Sequence, residues 1–288
     1  MDQFTSEQAC VRYLARVRWG MDFKCPFCTH EKAWYHAKGI FRCQKCRRNI
    51  SVTAGTALQD SRVPIRVWLL AVWSVVSQKH GVSSALGLAR ALGIKRYDTA
   101  WSLLRKMRKA MVRSGRERLS GLVEVDEVFL GGVKPGIRGR GALGKVLILV
   151  AVEDKGKKGF GRIRIEIISG ASAATLKTAI NHMVEHMVEP GSTIRTEEWK
   201  GYTASALGGY KHTVMKKQSR EPGEDPTPLV HRIASLLKRW LLGTHHGRVE
   251  ETHMQEYLNE FVFRFNRRNS RSRGKLFYRL LQNLTTSK

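Results

Sequence analysis

The sequence lacks long apolar runs and contains few acidic residues and few cysteines. Its 288 residues include 24 Asp and Glu, seven Pro and five Cys. No apolar stretch approaches the roughly 18 to 20 residues that cross a bilayer, so we expect no membrane partner. Five cysteines in a chain of this length exclude a disulfide-stapled miniprotein. The first twenty residues show no apolar core of signal-peptide type, so we expect a cytoplasmic protein.

Basic residues, in contrast, are abundant. The chain has 51 Lys and Arg, which gives a formal net charge of +27. Such an excess indicates a polyanionic partner, because binding phosphates relieves self-repulsion and releases counterions. A ribosomal or merely basic protein is the alternative that charge alone leaves open. Of the 24 acids, 13 lie in residues 121–240, whereas residues 261–288 contain eight basic residues and no acid.

Four of the five cysteines form two C-x2-C pairs, Cys25 with Cys28 and Cys43 with Cys46. This spacing predicts a zinc ribbon, in which four thiolates hold one structural zinc ion tetrahedrally. Aromatic and β-branched residues between the pairs suit the strands of a hairpin. Disulfides are the alternative, but a cytoplasmic protein disfavours them. Cys10 stands alone in a helical pattern and is expected to be a buried apolar residue.

A helical region follows the predicted ribbon. Residues 64–78 have the pattern of a buried helix with Pro64 in its first turn. Two further helical segments meet at Gly93, and the second is basic. This is the outline of a helix-turn-helix, which would place Lys95 and Arg96 at the start of the helix that contacts DNA. An amphipathic helix pair that never touches DNA fits the same pattern.

The periodicity changes after residues 114–121, which we interpret as a linker. Three consecutive strands, a helix, two strands and a helix are predicted there, which is the order of an RNase-H-like domain. The predicted fold class is therefore α/β: an N-terminal zinc ribbon and a helix-turn-helix-like region precede an RNase-H-like mixed sheet flanked by helices. The predicted domains are a zinc ribbon with an N-terminal helix (1–60), the helix-turn-helix-like region (61–115), the RNase-H-like domain (120–245), and a C-terminal helix with a basic tail (246–288).

Polar residues occupy three positions that such a sheet brings together. Alternation places Asp126 and Glu124 on one face of the first strand, with Glu127 on the other. Glu197 ends a later strand, and His231 begins the last helix of the domain. A carboxylate in a strand centre costs free energy to bury unpaired, which favours a metal ligand. The alternatives are solvated acids on an edge strand and an ordinary surface histidine.

Several motifs together resemble the zinc-ribbon transposases of bacterial insertion sequences, the group with an ISXO-type transposase domain of the DDE superfamily. They are CPFC, CQKC, VEVDEVFLGG, TEEWKGY, HRIASLLKRWLLGTHHG and EYLNEFVFRFNRR, and they extend over nearly the whole chain. The resemblance implies that Asp126 is the first catalytic acid and that His231 occupies the third catalytic position, with Lys238 seven residues later. Glu197 stands where relatives have aspartate.

The resemblance further implies cleavage and strand transfer of DNA at element ends, with Mg²⁺ or Mn²⁺ held by Asp126 and Glu197. The expected partners are element-end and target DNA and further copies of the chain, in the nucleoid. The expected phosphate contacts come from five arginines, which are Arg264, Arg267, Arg268, Arg271 and Arg273. Because Glu197 replaces aspartate, a transposase-derived protein that only binds DNA is the first alternative. A zinc-ribbon RNA-binding protein is the second.

Overall fold

The structure is a computed structural model that describes residues 4–20, 23–36, 39–77, 82–113, 115–131, 145–170, 172–197, 210–215, 225–246 and 249–286. Its helices are α1 (Glu7–Trp19), α2 (Ile65–Val76), α3 (Ala85–Leu92), α4 (Tyr97–Ala110), α5 (Ala173–Met187), α6 (Pro228–His245), α7 (Glu251–Asn266) and α8 (Arg273–Thr286). Its strands are β1 (Ala33–Tyr35), β2 (Ile40–Cys43), β3 (Asn49–Ser51), β4 (Leu122–Leu130), β5 (Val146–Asp154), β6 (Phe160–Ile168), β7 (Thr193–Glu197) and β8 (Lys211–Met215).

The chain forms two compact units. One comprises Met1–Ser114 together with Asn269–Lys288, and the other comprises Gly115–Arg268. Within the described residues, no helix is both long enough and apolar enough to span a membrane.

Among its described residues, the first unit contains a small three-stranded antiparallel sheet, β1-β2-β3, and the helices α1, α2, α3, α4 and α8. The predicted hairpin between the cysteine pairs is present, and the predicted helix over 64–78 is α2, which begins after Pro64. Gly93 adopts a left-handed conformation between α3 and α4, as the turn requires. Cys10 is fully buried on α1, as expected.

The C-terminal segment differs from the sequence expectation. Residues predicted to be a basic tail form α8, which packs against α1, α2 and α4. Leu276, Phe277, Leu280 and Leu284 are buried there. The basic residues of this segment suggested a tail, but its apolar residues recur at helical spacing, and their burial forms a helix.

The second unit contains a five-stranded sheet with the order β6-β5-β4-β7-β8. The first three strands in the chain, β4, β5 and β6, pair antiparallel, while β7 pairs parallel with β4, and β8 pairs parallel with β7. This arrangement confirms the predicted mixed α/β fold. Helix α5 covers one face of the sheet, and α6 and α7 cover the other.

Strand β4 is central, and its side chains alternate between the two layers. Val123 and Val125 pack towards α5, whereas Val128 and Leu130 pack among residues of α6 and α7. Glu124 and Asp126 therefore face the same side as α6. Helix α6 includes Gly243 and continues to a left-handed cap at His246. A glycine within a helix lowers stability without ending the helix when neighbouring turns are packed.

Candidate metal-binding site

Three carboxylates converge where β4 and β7 lie side by side. Oxygen atoms of Asp126, Glu127 and Glu197 all lie within 4.8 Å of one another. The register explains part of this cluster: Glu124 is paired with Arg195, and two residues further along each parallel strand are Asp126 and Glu197. The two side chains therefore extend from the same face of the sheet. Sequence reasoning did not include Glu127, because strict alternation assigned it to the opposite face.

The carboxylate of Asp126 is nearly buried, and protein donors compensate its charge. Its exposed fraction is 3%. The hydroxyl of Thr227 donates to Asp126 Oδ2 over 2.7 Å, and the backbone N–H of Glu127 donates to Asp126 Oδ1 over 2.8 Å. Such bonds hold a side chain in one orientation. Asp126 is thus a fixed acidic group that opens towards the carboxylates of Glu127 and Glu197.

His231 lies on the first turns of α6 beside this cluster. Its Nε2 is 3.5 Å from Asp126 Oδ2, and its Nδ1 is 2.7 Å from Asp225 Oδ2. Interaction with Asp126, followed by that with Asp225, raises the pKa of His231 to about 9. In this arrangement the half-exposed ring is cationic near neutral pH. It supplies N–H donors to its carboxylate neighbours.

Lys238 is on the same helix as His231. The two residues are seven positions apart, which is nearly two turns and places them about 10 Å apart along the helix axis. Lys238 is exposed to solvent. The structure thus brings Asp126, Glu197 and His231 together and places Lys238 further along the same helix.

Glu124 links the central strand to the start of α6. Its carboxylate is fully buried, and its Oε2 accepts hydrogen bonds from the backbone N–H groups of Leu229 (2.9 Å) and Val230 (3.1 Å). The first N–H groups of a helix have no partner within the helix, and a carboxylate there also interacts favourably with the helix dipole. Thr227, at the N-cap position, does not fill this role, because its hydroxyl donates to Asp126. The helix that carries His231 is therefore capped by a strand residue.

Arg195 connects the capping carboxylate to two further strands. Its guanidinium bonds Glu124 on β4, and it forms an ion pair with Asp154 of β5 over 2.9 Å. Arg195 itself belongs to β7, two residues before Glu197. The network thus holds the strands of the cluster in register. Sequence reasoning missed Arg195, because its partners Glu124 and Asp154 lie on other strands far along the chain.

The four cysteines of the ribbon form a second cluster. The Sγ atoms of Cys25 and Cys46 are 3.7 Å apart, and those of Cys28 and Cys43 are 3.6 Å apart. Tetrahedral zinc with Zn–S bonds of about 2.3 Å requires sulfur atoms about 3.8 Å apart, whereas a disulfide requires about 2.0 Å. Burial opposes ionisation of Cys43, but backbone N–H groups outweigh it and lower the pKa of this thiol to about 6. The arrangement fits the predicted zinc site and not a pair of disulfides.

The residues predicted to contact DNA differ in what surrounds them. Lys95 and Arg96 are exposed immediately before α4, and Arg271 is exposed before α8. Arg273 is the first residue of α8 and is partly buried. The side chain of Arg267 lies over the ring of Phe263, 4.1 Å from its centroid.

Two of the five arginines make extensive contacts within their own unit. Arg264 forms an ion pair with the buried Glu260 over 2.8 Å, and only 15% of its side chain is exposed. The guanidinium of Arg268 donates to the backbone carbonyls of Phe160, Gly161 and Phe265. The bonds from Arg268 to Phe160 and Gly161 attach the end of α7 to β6. Phosphate binding by Arg264 and Arg268 stays a prediction, and Arg271 offers a more accessible guanidinium.

Comparison with known proteins identifies the second unit. The family of ISXO2-like transposase domains matches residues 118–266, just over half of the chain. The chain belongs to this transposase family. A transposase zinc-ribbon domain matches residues 5–49, which include all four cysteines of the ribbon. The resemblance inferred from the sequence motifs is confirmed.

Two individual proteins resemble parts of this transposase-family chain. An uncharacterised protein of the transposable element ISH50 from Halobacterium salinarum is 29% identical over 141 residues. That match covers 48% of the present chain and 45% of the relative, so the chain spans less than half of the relative's length. The catalytic core domain of BIV integrase matches with a TM-score of 0.33 and 18% identity, over 49% of this chain and 81% of that one.

Some predicted features lie outside the described residues. Most of the TEEWKGY motif falls within residues 198–209. Glu197 is the last described residue of β7.

Proposed function

We propose that this protein is the transposase of a bacterial insertion sequence, which cleaves DNA at element ends and joins them to target DNA. The convergence of Asp126, Glu127 and Glu197 within 4.8 Å, in a chain of the transposase family, carries the proposal. Both reactions are phosphoryl transfers, for which acidic clusters hold divalent metal ions. The strongly basic composition supports a nucleic acid as the substrate.

The donor set fits Mg²⁺ or Mn²⁺. All three side chains offer carboxylate oxygens, which are the ligands that these hard ions prefer. When bound, the metal ions would activate the attacking hydroxyl and neutralise charge on the scissile phosphate. Asp126 is held rigidly by Thr227 for this purpose, and Glu197 is held by the strand that contains Arg195.

Cleavage and joining each exchange one oxygen–phosphorus bond of the DNA for another. In cleavage, the oxygen of water bonds to a phosphorus atom of the strand, the bond to the 3′ oxygen breaks, and a 3′-hydroxyl results. In joining, that 3′ oxygen bonds to a phosphorus atom of the target and displaces the target's own 3′ oxygen. His231 and Lys238 would contact the phosphates, because both lie on the face of α6 that begins beside Asp126.

The flanking basic segments would hold the DNA. We assign phosphate contacts to Lys95, Arg96 and Arg271, which are exposed, with the remaining C-terminal arginines in support. The zinc ribbon would hold one structural Zn²⁺ through its four cysteines. Cutting two element ends requires more than one catalytic centre, so we expect copies of the chain to assemble on DNA, in the nucleoid of the cytoplasm.

A second candidate function is DNA binding without catalysis. Glu197 favours it, because relatives have aspartate at this position and an additional methylene displaces the carboxylate by about one C–C bond. The position of Glu197 argues for activity, since its carboxylate still reaches within 4.8 Å of Asp126 and Glu127.

The deciding experiment is cleavage of element-end DNA with Mg²⁺ or Mn²⁺ by the full chain. The wild-type protein should cleave, and Asp126→Asn should lower the rate by about a thousandfold or more, while DNA affinity changes less than about twofold. If the wild-type and Glu197→Asp proteins both bind DNA and neither cuts it, the catalytic proposal is wrong and the second candidate stands.

A further inference from the structure

The zinc ribbon exposes two aromatic rings, and an arginine covers each of them. Phe27 is 55% exposed and Trp34 is 45% exposed. The guanidinium of Arg48 lies 4.7 Å from the centroid of Phe27, and that of Arg47 lies 4.6 Å from the centroid of Trp34. Each ring thus combines exposed apolar surface with an adjacent guanidinium.

The backbone at Arg47 is strained, and that strain has a counterpart in the other knuckle. Arg47 has φ 59° and Thr29 has φ 57°, so the residue that follows the second cysteine of each knuckle is left-handed. Both residues donate a backbone hydrogen bond to the first cysteine of their knuckle. Glycine adopts this conformation without penalty, whereas arginine does not. Each knuckle therefore contains a residue in a conformation that glycine adopts more readily.

The charge around these rings suits a polyanion. Residues 32–59 contain six Lys and Arg and no Asp or Glu. Arg42 is paired directly with Trp34 across the β1–β2 ladder, and its Nε donates to the carbonyl of Arg47. Each exposed ring thus has at least one arginine beside it that can contact a phosphate.

We propose that the two ring–arginine pairs of the ribbon, Trp34 with Arg47 and Phe27 with Arg48, bind unpaired bases of a DNA strand by stacking. This inference rests on the proposed action on DNA and adds the form of DNA that the ribbon prefers. An aromatic ring can stack on a base only when that base has left the duplex stack, since a paired base presents only its edges. Aromatic platforms with neighbouring arginines are the usual means of binding single strands, and stacking tolerates any base.

The test compares two DNA probes of mixed sequence with the zinc-loaded full chain and no added Mg²⁺. One probe is a blunt duplex, and the other is the same duplex with a short unpaired tail. Fluorescence anisotropy should show tighter binding to the tailed probe. Phe27→Ala and Trp34→Ala should each weaken binding to the tailed probe by about tenfold and binding to the blunt probe by less than about twofold. Tyr278→Ala removes a ring of similar exposure from α8 and should change neither affinity.

A pair of glycine variants separates ring chemistry from ribbon stability. Arg47→Gly and Thr29→Gly remove the same backbone strain from equivalent positions, so both should retain zinc at least as well as the wild-type protein. Only Arg47→Gly should weaken binding to the tailed probe. If a ring variant loses zinc, Trp34→Tyr and Phe27→Tyr decide instead, because each keeps an aromatic ring and should bind the tailed probe normally.

The outcomes distinguish this inference from the proposed function. Equal affinity of the wild-type protein for the two probes, or equal losses on both probes in the ring variants, would overturn the stacking proposal while DNA binding stands. Failure to bind either probe would overturn both.

Discussion

The buried carboxylate of Glu124 accepts a hydrogen bond from the backbone N–H of Leu229, which lies 105 residues later in the chain. This contact joins the central strand β4 to the first turn of α6, the helix of His231. The same carboxylate bonds Arg195, which precedes Glu197 by two residues. Glu124, which has no predicted catalytic role, thus connects β4, β7 and α6, the three elements that carry the residues of the candidate site.

Glu124→Gln should therefore weaken the site as well as the fold. The amide oxygen can replace one acceptor, but the amide N–H₂ then faces another donor, the guanidinium of Arg195. We expect a loss of about 3 kcal/mol in the free energy of unfolding, measured by urea denaturation. We also expect a severalfold increase in the Mn²⁺ concentration that gives half-maximal cleavage.

The matched control for this variant is Glu153→Gln. Glu153 is also buried, at 1% exposure, and pairs with Arg162 over 3.0 Å on the neighbouring strand. It should reproduce the loss of stability without changing the Mn²⁺ requirement. If both variants raise that requirement equally, then Glu124 acts on the fold alone.

Glu197→Asp should increase the rate of DNA cleavage. The shorter side chain restores the aspartate that the resemblance to zinc-ribbon transposases implies at this position, and misplacement of a catalytic group by about 1 Å can reduce rates by about a hundredfold. The rate constant at saturating Mg²⁺ measures the effect, and Glu197→Gln, which removes the charge, should be inactive. An unchanged rate for the aspartate variant would show that Glu197 is already well placed.

One zinc ion per chain is expected in the purified protein by elemental analysis. Structural zinc in small domains supplies about 10 kcal/mol or more of folding free energy, so its removal should unfold the ribbon. Cys43→Ser should lose the metal, whereas Cys10→Ser changes a buried cysteine outside the cluster and should retain it. A zinc-free protein with an intact ribbon would contradict this prediction.

Lowering the pH should lower the free energy of unfolding, in part because Glu153 becomes protonated. Burial alone would raise its pKa, but hydrogen bonds from Arg162 and from the backbone of Ser120 lower the pKa below 4.5. A depressed pKa contributes stability above about pH 4.5, and that contribution is lost as the pH falls through the folded-state value. The free energy of unfolding should thus fall below pH 4.5, and less steeply in Glu153→Gln. Identical slopes would exclude this contribution.

Much of the fold was predictable because the patterns behind it are local. The C-x2-C pairs, the alternation along β4 to β6 and the helical run of α2 each lie within a short segment of sequence. The mixed sheet was predicted from the order of strands and helices along the chain. Asp126 was predictable since a charge within an apolar strand is unusual in itself.

The missed features depend on contacts between distant segments. The role of Glu124 became visible only with the first turn of α6, and that of Arg195 only with three strands in register. Strand alternation assigned Glu127 to the opposite face. Alternation fixes the direction of the Cα–Cβ bond, but it does not fix the position of the carboxylate at the end of a long side chain. Helix α8 was predicted to be a basic tail because of its many Lys and Arg residues. Its apolar residues, which pack against α1, α2 and α4, were not considered.

The spacing of Glu124 and Asp126 restricts which changes β4 can tolerate. The two acids occupy alternate positions, so inserting or deleting one residue before them would turn both towards the apolar layer under α5. Such a change would leave the start of α6 uncapped and would bury two charges among Val184, Ile180 and Met183. Substitutions along α6 keep this attachment intact. Variants of the candidate site should therefore leave the length of the strand unchanged.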